Sequence, residues 1–436
     1  MKKRFNLLII IGMYLLIYNP PLLGAGMVRA VGPFRNMIWV VAPVSIVYVL
    51  CNLRWLKDNL DWKAIVRTEC ILAAIVSYYL LVRCLNGNMT SILGEDAGID
   101  AKHWIYWMGG DISFALAAWI SLRKHGQDFS DLLDHLLVTG TVMAATVILA
   151  YLVTGVHAFF TRRMMDYGVT LAEEMSPFRN FGFAANLSST ASYVQAVLAS
   201  IALYRGVREK KILWLCLFPV LAFSANVNTR AATFFILSGI GAVLLSLFCT
   251  RDRRQILVYT VFAACAAIAA LFGLKLLKYV NEESYLWLRA GVPGFLDFLF
   301  RDEAEMTGYF VGLARMSSND VLPKGWQLIF GPGTGVLGYN SKYDVNSDVG
   351  FVNDLWKGGI VLSACFYTLY GRMLWKIFRN RKIPRQDGVF FAVLFLLVFV
   401  LNNIKGSFFI HSDVMVVFWL LYAALEWNAD KGETAA

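Results

Sequence analysis

The chain has 436 residues, 58% of them hydrophobic and only 16% charged, with a formal net charge of +10. Soluble domains carry charge on nearer a quarter of their residues, so an ordinary soluble domain is excluded. The positive excess sits in short segments between apolar runs, with no basic patch interleaved with aromatics; it reads as membrane topology and not as a nucleic-acid surface.

The apolar runs are continuous, and each is near the roughly 20 residues that cross a hydrocarbon core as a helix. Lipid leaves only helices or closed barrels, and continuous runs, as opposed to alternating ones, choose helices. The expected fold is therefore all-α and polytopic, with about twelve transmembrane helices. Basic Lys2, Lys3 and Arg4 precede the first run, which has the look of a signal peptide, with Gly24, Ala25 and Gly26 as a small-residue region. The spans that follow favour an uncleaved first helix.

Spans are expected at 5–20, 37–53, 64–82, 103–122, 132–153, 183–204, 212–226, 231–249, 256–274, 350–374, 388–404 and 407–427. With the N-terminus cytoplasmic, the inner loops hold Arg54, Lys57, Arg123, Lys124, Arg205, Arg208, Lys210, Lys211, Arg251, Arg253, Arg254, Arg372, Lys376, Arg379 and Arg385. The outer segments before the long loop are poorer in such residues. This asymmetry predicts that both termini are cytoplasmic. The whole of 1–436 reads as one transmembrane domain, with no internal repeat of the kind many transporters show. Its large outer loop, 275–349 between spans nine and ten, is rich in aromatics such as Trp287, Tyr309 and Trp326, and is expected to carry short interfacial helices. Seven cysteines lie in or beside apolar runs with no CxxC pair, so neither a zinc site nor a disulfide framework is predicted.

Charged residues within spans are expensive and mark candidate sites. They gather on the outer face. Arg179, Gly182 and Asn186 open span six; Arg179 and Asn186 share a face if both are helical. Arg230 opens span eight after Asn226-Val227-Asn228-Thr229. Gly331, Gly333 and Gly335 lead to Asn346-Ser347-Asp348, where Ser347 or Asp348 is placed to cap span ten. Asn353, Asp354, Lys357, Gly358 and Gly359 follow, Asp354 and Lys357 being spaced to pair internally. Asn402, Asn403, Lys405, His411 and Asp413 lie near the same face. Asp111, after Gly109 and Gly110, is a further intramembrane carboxylate. The glycine-rich run has no following Lys-Ser/Thr and is not a nucleotide loop.

With these residues, the chain resembles the bacterial O-antigen and exopolysaccharide polymerases, the Wzy-like group, which are related to the O-antigen ligases. The resemblance lies in Arg179-x-x-Gly182-x-x-x-Asn186, in Thr229-Arg230 before an apolar helix, and in Gly331-x-Gly333-x-Gly335 followed by Ser347-Asp348-x-Gly350-Phe351 and Gly359-Ile360. It covers about residues 170 to 375. Ligases of this superfamily typically carry a histidine where Asn346-Ser347-Asp348 stands, which favours a polymerase.

The resemblance implies a metal-independent, cofactor-free inverting glycosyltransferase with a GT-C-like fold in the bacterial inner membrane, active at the periplasmic face. Donor and acceptor would both be glycans on undecaprenyl diphosphate, and a chain-length regulator would be a further partner. That chemistry needs cations for the leaving diphosphate, and Arg179 and Arg230 are the first candidates. It also needs help in removing the acceptor proton, for which Asp348 is chosen and His411 is second. Asn186, Arg289, Arg315, Gly333, Gly335, Ser347 and His411 complete the expected substrate-binding set. An O-antigen ligase and a polysaccharide flippase or transporter are the alternatives.

Overall fold

The computed structural model describes residues 6–23, 27–28, 36–88, 105–167, 169, 172, 179–185, 190–229, 231–250, 256–257, 259, 261, 279, 316, 318–336, 342–405 and 413–428, with only the backbone at 105–108, 190, 250 and 405. The protein is all-helical, and no β-structure beyond isolated bridges occurs among the described residues. In chain order the α-helices are α1 (Leu7–Tyr18), α2 (Ile38–Cys51), α3 (Leu53–Asn59), α4 (Trp62–Leu85), α5 (Ser113–Lys124), α6 (Phe129–Leu152), α7 (Thr154–Asp166), α8 (Thr190–Glu209), α9 (Ile212–Asn226), α10 (Ala232–Thr250), α11 (Trp326–Phe330), α12 (Gly350–Arg379), α13 (Arg385–Lys405) and α14 (Asp413–Glu426). A helix thus lies at each expected span except the ninth, 256–274, most of which is outside the described residues, as is most of the loop before 318.

By length and composition, α4, α6, α10 and α13 are each apolar enough to cross a membrane, and a fifth crossing is obtained if α2 and α3, bent by 70°, are one span. Lipid as solvent explains the distribution of side chains. Leu81, Leu149, Leu213, Leu237 and Leu396 are exposed on the outer helices, while the polar Asp134, Arg205, Asn353 and Lys357 are buried. Two helices form the centre. Side chains 191–207 of α8 and 413–425 of α14 are all buried, which places both helices at the core of the bundle. The α8 helix packs on α1, α6, α9, α10, α13 and α14.

Local signals set several helix starts. Asn6 caps α1 through Oδ1, accepting from the Leu8 and Ile9 amides at 3.2 and 3.4 Å. Asp128 and Asp131 form a reciprocal capping box at α6. Asp61 accepts the Ala64 amide at 3.0 Å to start α4.

The two ends of the bundle differ chemically. At one end the Asn6 side-chain amide donates to Ser121 Oγ, and the Asn6 backbone N–H donates to His135 Nε2. There also Asp61 N–H bonds Trp427 O, Asn428 bonds Trp119, and Asn380 bonds Glu426. Arg205 pairs with Asp134 and Glu209, and Arg208 with Asp387. The segments that gather here are those whose basic residues assign them to one side, and the first and last described residues, Asn6 and Asn428, lie among them.

Two expected spans differ in detail. Span six was expected from 183, but 179–185 is non-helical and α8 begins at Thr190. The cause is tertiary: the Ala185 amide bonds the Tyr18 and Asn19 carbonyls at the end of α1, and Gly182 adopts φ +61. Span four is not one α-helix, because Ile105–Ile112 is π-helical before α5 begins.

Candidate functional site

Two groups of polar and glycine residues lie at the bundle end opposite Asn6 and Asn428. The first is built on 179–185. Gly182 packs so closely on α6 that a β-carbon there would lie 2.7 Å from Thr146 Oγ1 and 2.7 Å from Val147 Cγ2, and its positive φ also favours glycine. Thr146 Oγ1 accepts the Phe183 amide at 3.2 Å, and Tyr14 donates to the Phe183 carbonyl at 3.1 Å. With the segment threaded in this way, the Asn180 amide reaches the Val227 carbonyl at 3.3 Å. The half-buried Arg179 therefore stands beside the turn that carries buried Asn228 and Thr229 and leads to position 230. Arg179 lies in a non-helical stretch, and position 186 is outside the described residues.

The second group is the glycine-rich turn against a broken helix. Inside α12 the backbone leaves helical geometry at Gly358 (φ −153°) and Gly359 (φ 67°). This break admits the turn after α11. A β-carbon on Gly331 would lie 2.5 Å from Gly358 Cα, and one on Gly333 2.7 Å from Arg83 Cα. Both glycines have positive φ, so the sequence meets space and conformation together. Side chains of α4 hold the turn. Tyr78 donates to the Phe330 and Gly358 carbonyls, each at 3.2 Å, and Asn86 donates to the Gly331 carbonyl at 3.4 Å. Asn88 donates to the Pro332 carbonyl and accepts from Lys342, and buried Arg83 donates to the Asn88 carbonyl at 3.0 Å.

Beyond the turn, the Thr334 amide bonds the Trp356 carbonyl at 3.3 Å, and Gly335 is buried beside it. Ser347 is fully buried; its hydroxyl donates to the Met316 carbonyl at 2.8 Å and accepts the Val349 amide at 3.2 Å. The cap position itself belongs to Val349, so neither Ser347 nor Asp348 caps α12. Asp348 is half-buried between buried Ser347 and Val349. One turn into α12, Asp354 accepts from Asn403 at 3.2 Å, Asn403 also donates to Tyr367 at 2.9 Å, and the buried Lys357 ammonium lies in the field of Asp354. Asp111 is fully buried at the end of the π-helical stretch.

Of the residues expected from sequence, the structure joins Gly333, Gly335, Ser347 and Asp348 in one unit and brings the Arg179 segment to the Val227–Thr229 turn. Asn186, Arg230, Arg289, Arg315 and His411 lie outside the described residues. Among the described residues no group of three or more His, Cys, Asp or Glu comes together as a metal site. Sequence reasoning passed over Tyr78, Arg83, Asn86 and Asn88. Their signal was a polar cluster at the end of an apolar helix, with an arginine that the topology had counted only as one of the outer cations.

No family model matches the chain, and no curated protein matches it.

Proposed function

We propose that the protein is a polysaccharide polymerase of the inner membrane that joins undecaprenyl-diphosphate-linked repeat units into O-antigen, capsule or exopolysaccharide at the periplasmic face. Twelve spans, a GT-C-like arrangement, cytoplasmic termini and a large periplasmic loop belong to this reading. The observation that carries it is the Asn180–Val227 hydrogen bond, which joins two arginine-bearing segments distant in sequence at the bundle end that also holds the glycine-rich turn and Asp348. Sequence motifs that resemble a family's signatures thus coincide with close backbone contacts.

In the proposed reaction the acceptor hydroxyl of one lipid-linked repeat attacks the anomeric carbon of the lipid-linked donor glycan. The new C–O bond forms as the bond to the diphosphate breaks, with inversion. The departing undecaprenyl diphosphate takes the bonding electron pair, and Arg179 and Arg230 neutralise the charge that develops. Asp348 accepts or orients the hydroxyl proton. In this reading, guanidinium groups preorganised before the reaction would stabilise the developing charge without solvent reorganisation, which is where most of the rate gain would arise.

The test is complementation of a strain lacking the protein with Arg179→Ala, Arg230→Ala and Asp348→Ala. Each variant should reach the membrane and leave lipid-linked single repeats with no long surface glycan. A full-length ladder from all three would reject the site. Accumulation of lipid-linked polymer in place of single units would point to a ligase.

A further inference from the structure

Asn353 lies in the first turn of α12 and is fully buried. Its Oδ1 accepts the Val336 amide at 2.9 Å, and its Nδ2 donates to the Ser347 carbonyl at 2.7 Å and the Val349 carbonyl at 3.0 Å. One side-chain amide therefore holds three backbone groups on two separate segments. The Ser347 amide adds a direct bond between those segments, donating to the Val336 carbonyl at 2.8 Å. A helix needs no such contacts for its own stability, because the amides of its first turn require acceptors, and the Asn353 side chain gives those amides none. What it fixes is the chain entering the helix. Residue 348 stands between the two carbonyls that Nδ2 holds, and it is half-buried while both its neighbours are buried.

We propose that Asn353 is a positioning residue for the glycosyl transfer: it clamps the backbone on both sides of Asp348 and so sets the attitude of that carboxyl toward a sugar hydroxyl. This role rests on the polymerase reading of Asp348. A group held to within a few tenths of an ångström matters because small misplacements of a reacting group are costly to rate even when binding survives.

The test uses the full-length protein purified in detergent and supplied with a lipid-linked repeat unit from its own host. Asn353→Asp keeps the shape and an acceptor for Val336 but sets carboxylate oxygen against two carbonyls. Asn353→Gln keeps the amide but displaces it by a methylene. Both should lower the elongation rate up to about a hundredfold, with little change in the acceptor concentration for half-maximal rate. Hydrogen exchange at the Val336 amide should quicken in both; Asn353→Asp, with a carboxylate buried against two carbonyls, should also unfold at a lower temperature, so rates are compared below both unfolding midpoints.

Wild-type rates in both variants, or a defect carried by the half-maximal acceptor concentration with the maximal rate unchanged, would overturn the positioning role and leave the polymerase reading standing. A wild-type protein that builds no glycosidic bond would overturn the polymerase reading and the positioning role with it.

Discussion

Gly359 and Ile329 meet backbone to backbone: a β-carbon on Gly359 would stand 2.2 Å from the Ile329 carbonyl oxygen. Gly359 also has φ +67, a conformation that side-chain-bearing residues adopt only with strain. Gly359→Ala should therefore destabilise the protein by about 2–4 kcal/mol, through overpacking against rigid backbone and strain together. Gly371, in the same helix, has open space where a β-carbon would go. Gly371→Ala should be neutral or stabilising by up to about 1 kcal/mol. Thermal unfolding of both variants in detergent checks the contrast.

Arg205 is the centre of the opposite bundle end. It is 1% exposed, pairs with Asp134, bonds Glu209 at 2.7 Å and Ser130 Oγ at 2.9 Å, and lies 4.6 Å from the Trp214 ring centroid. Arg205→Ala removes the ion-pair partner of buried Asp134, which should cost about 3–5 kcal/mol. Arg205→Lys should rescue little, since an ammonium cannot reproduce the planar fork. Immunoblots should show a large fall in protein level, while any surface glycan that is made keeps its ordinary length.

Acid should loosen the same end. Glu209 lies beyond the expected span of 183–204. Burial pushes its carboxyl pKa up, but hydrogen bonds and charge from Arg205 and Lys211 outweigh burial and hold it below the ordinary value. A carboxyl depressed by folding stabilises the folded state above its unfolded pKa, and the benefit is lost as pH falls through the folded value. The stability gap between wild type and Glu209→Gln should thus be largest near neutral pH and close as pH drops below the ordinary carboxylate range. Unfolding curves across that range read this directly.

The two bundle ends should face opposite sides of the membrane. Lys124, at the end rich in Arg205 and Asp134, and Lys342, beside Asn88, are both exposed. In a background without native cysteines, Lys342→Cys should react with an impermeant maleimide applied to intact cells with a permeabilised outer membrane. Lys124→Cys should react only after lysis. The reverse pattern would invert the topology.

Much of this architecture was legible in the sequence because lipid imposes a simple rule: continuous apolar runs become helices, and most of the described helices fall on them, while α3, α7 and α11 lie between the expected spans. The glycines of the turn were legible too, since Gly331, Gly333 and Gly359 serve contacts and angles that few other residues tolerate. The segment 179–185 was not. Phe183, Ala184 and Ala185 read as the start of an apolar helix, and bonds to α1 and α6, far away in sequence, hold them out of helical geometry. The roles of Arg83, Asn88 and Asn353 were hidden for the same reason. Each depends on partners that the fold brings together: Asn88 meets Pro332, and Asn353 meets Val336 across the end of a loop. Sequence pattern picked out the turn glycines, and long-range packing revealed what holds the turn and the segment around Asp348.

The most direct measurement is elongation of a purified lipid-linked repeat unit by the purified protein, followed by separation of the products by length. The proposed function predicts a ladder of lipid-linked oligomers from the wild type, with free undecaprenyl diphosphate released at each addition, and single units only from Asp348→Ala. A wild type that forms no oligomer, or an Asp348→Ala protein whose ladder matches it, would contradict the account.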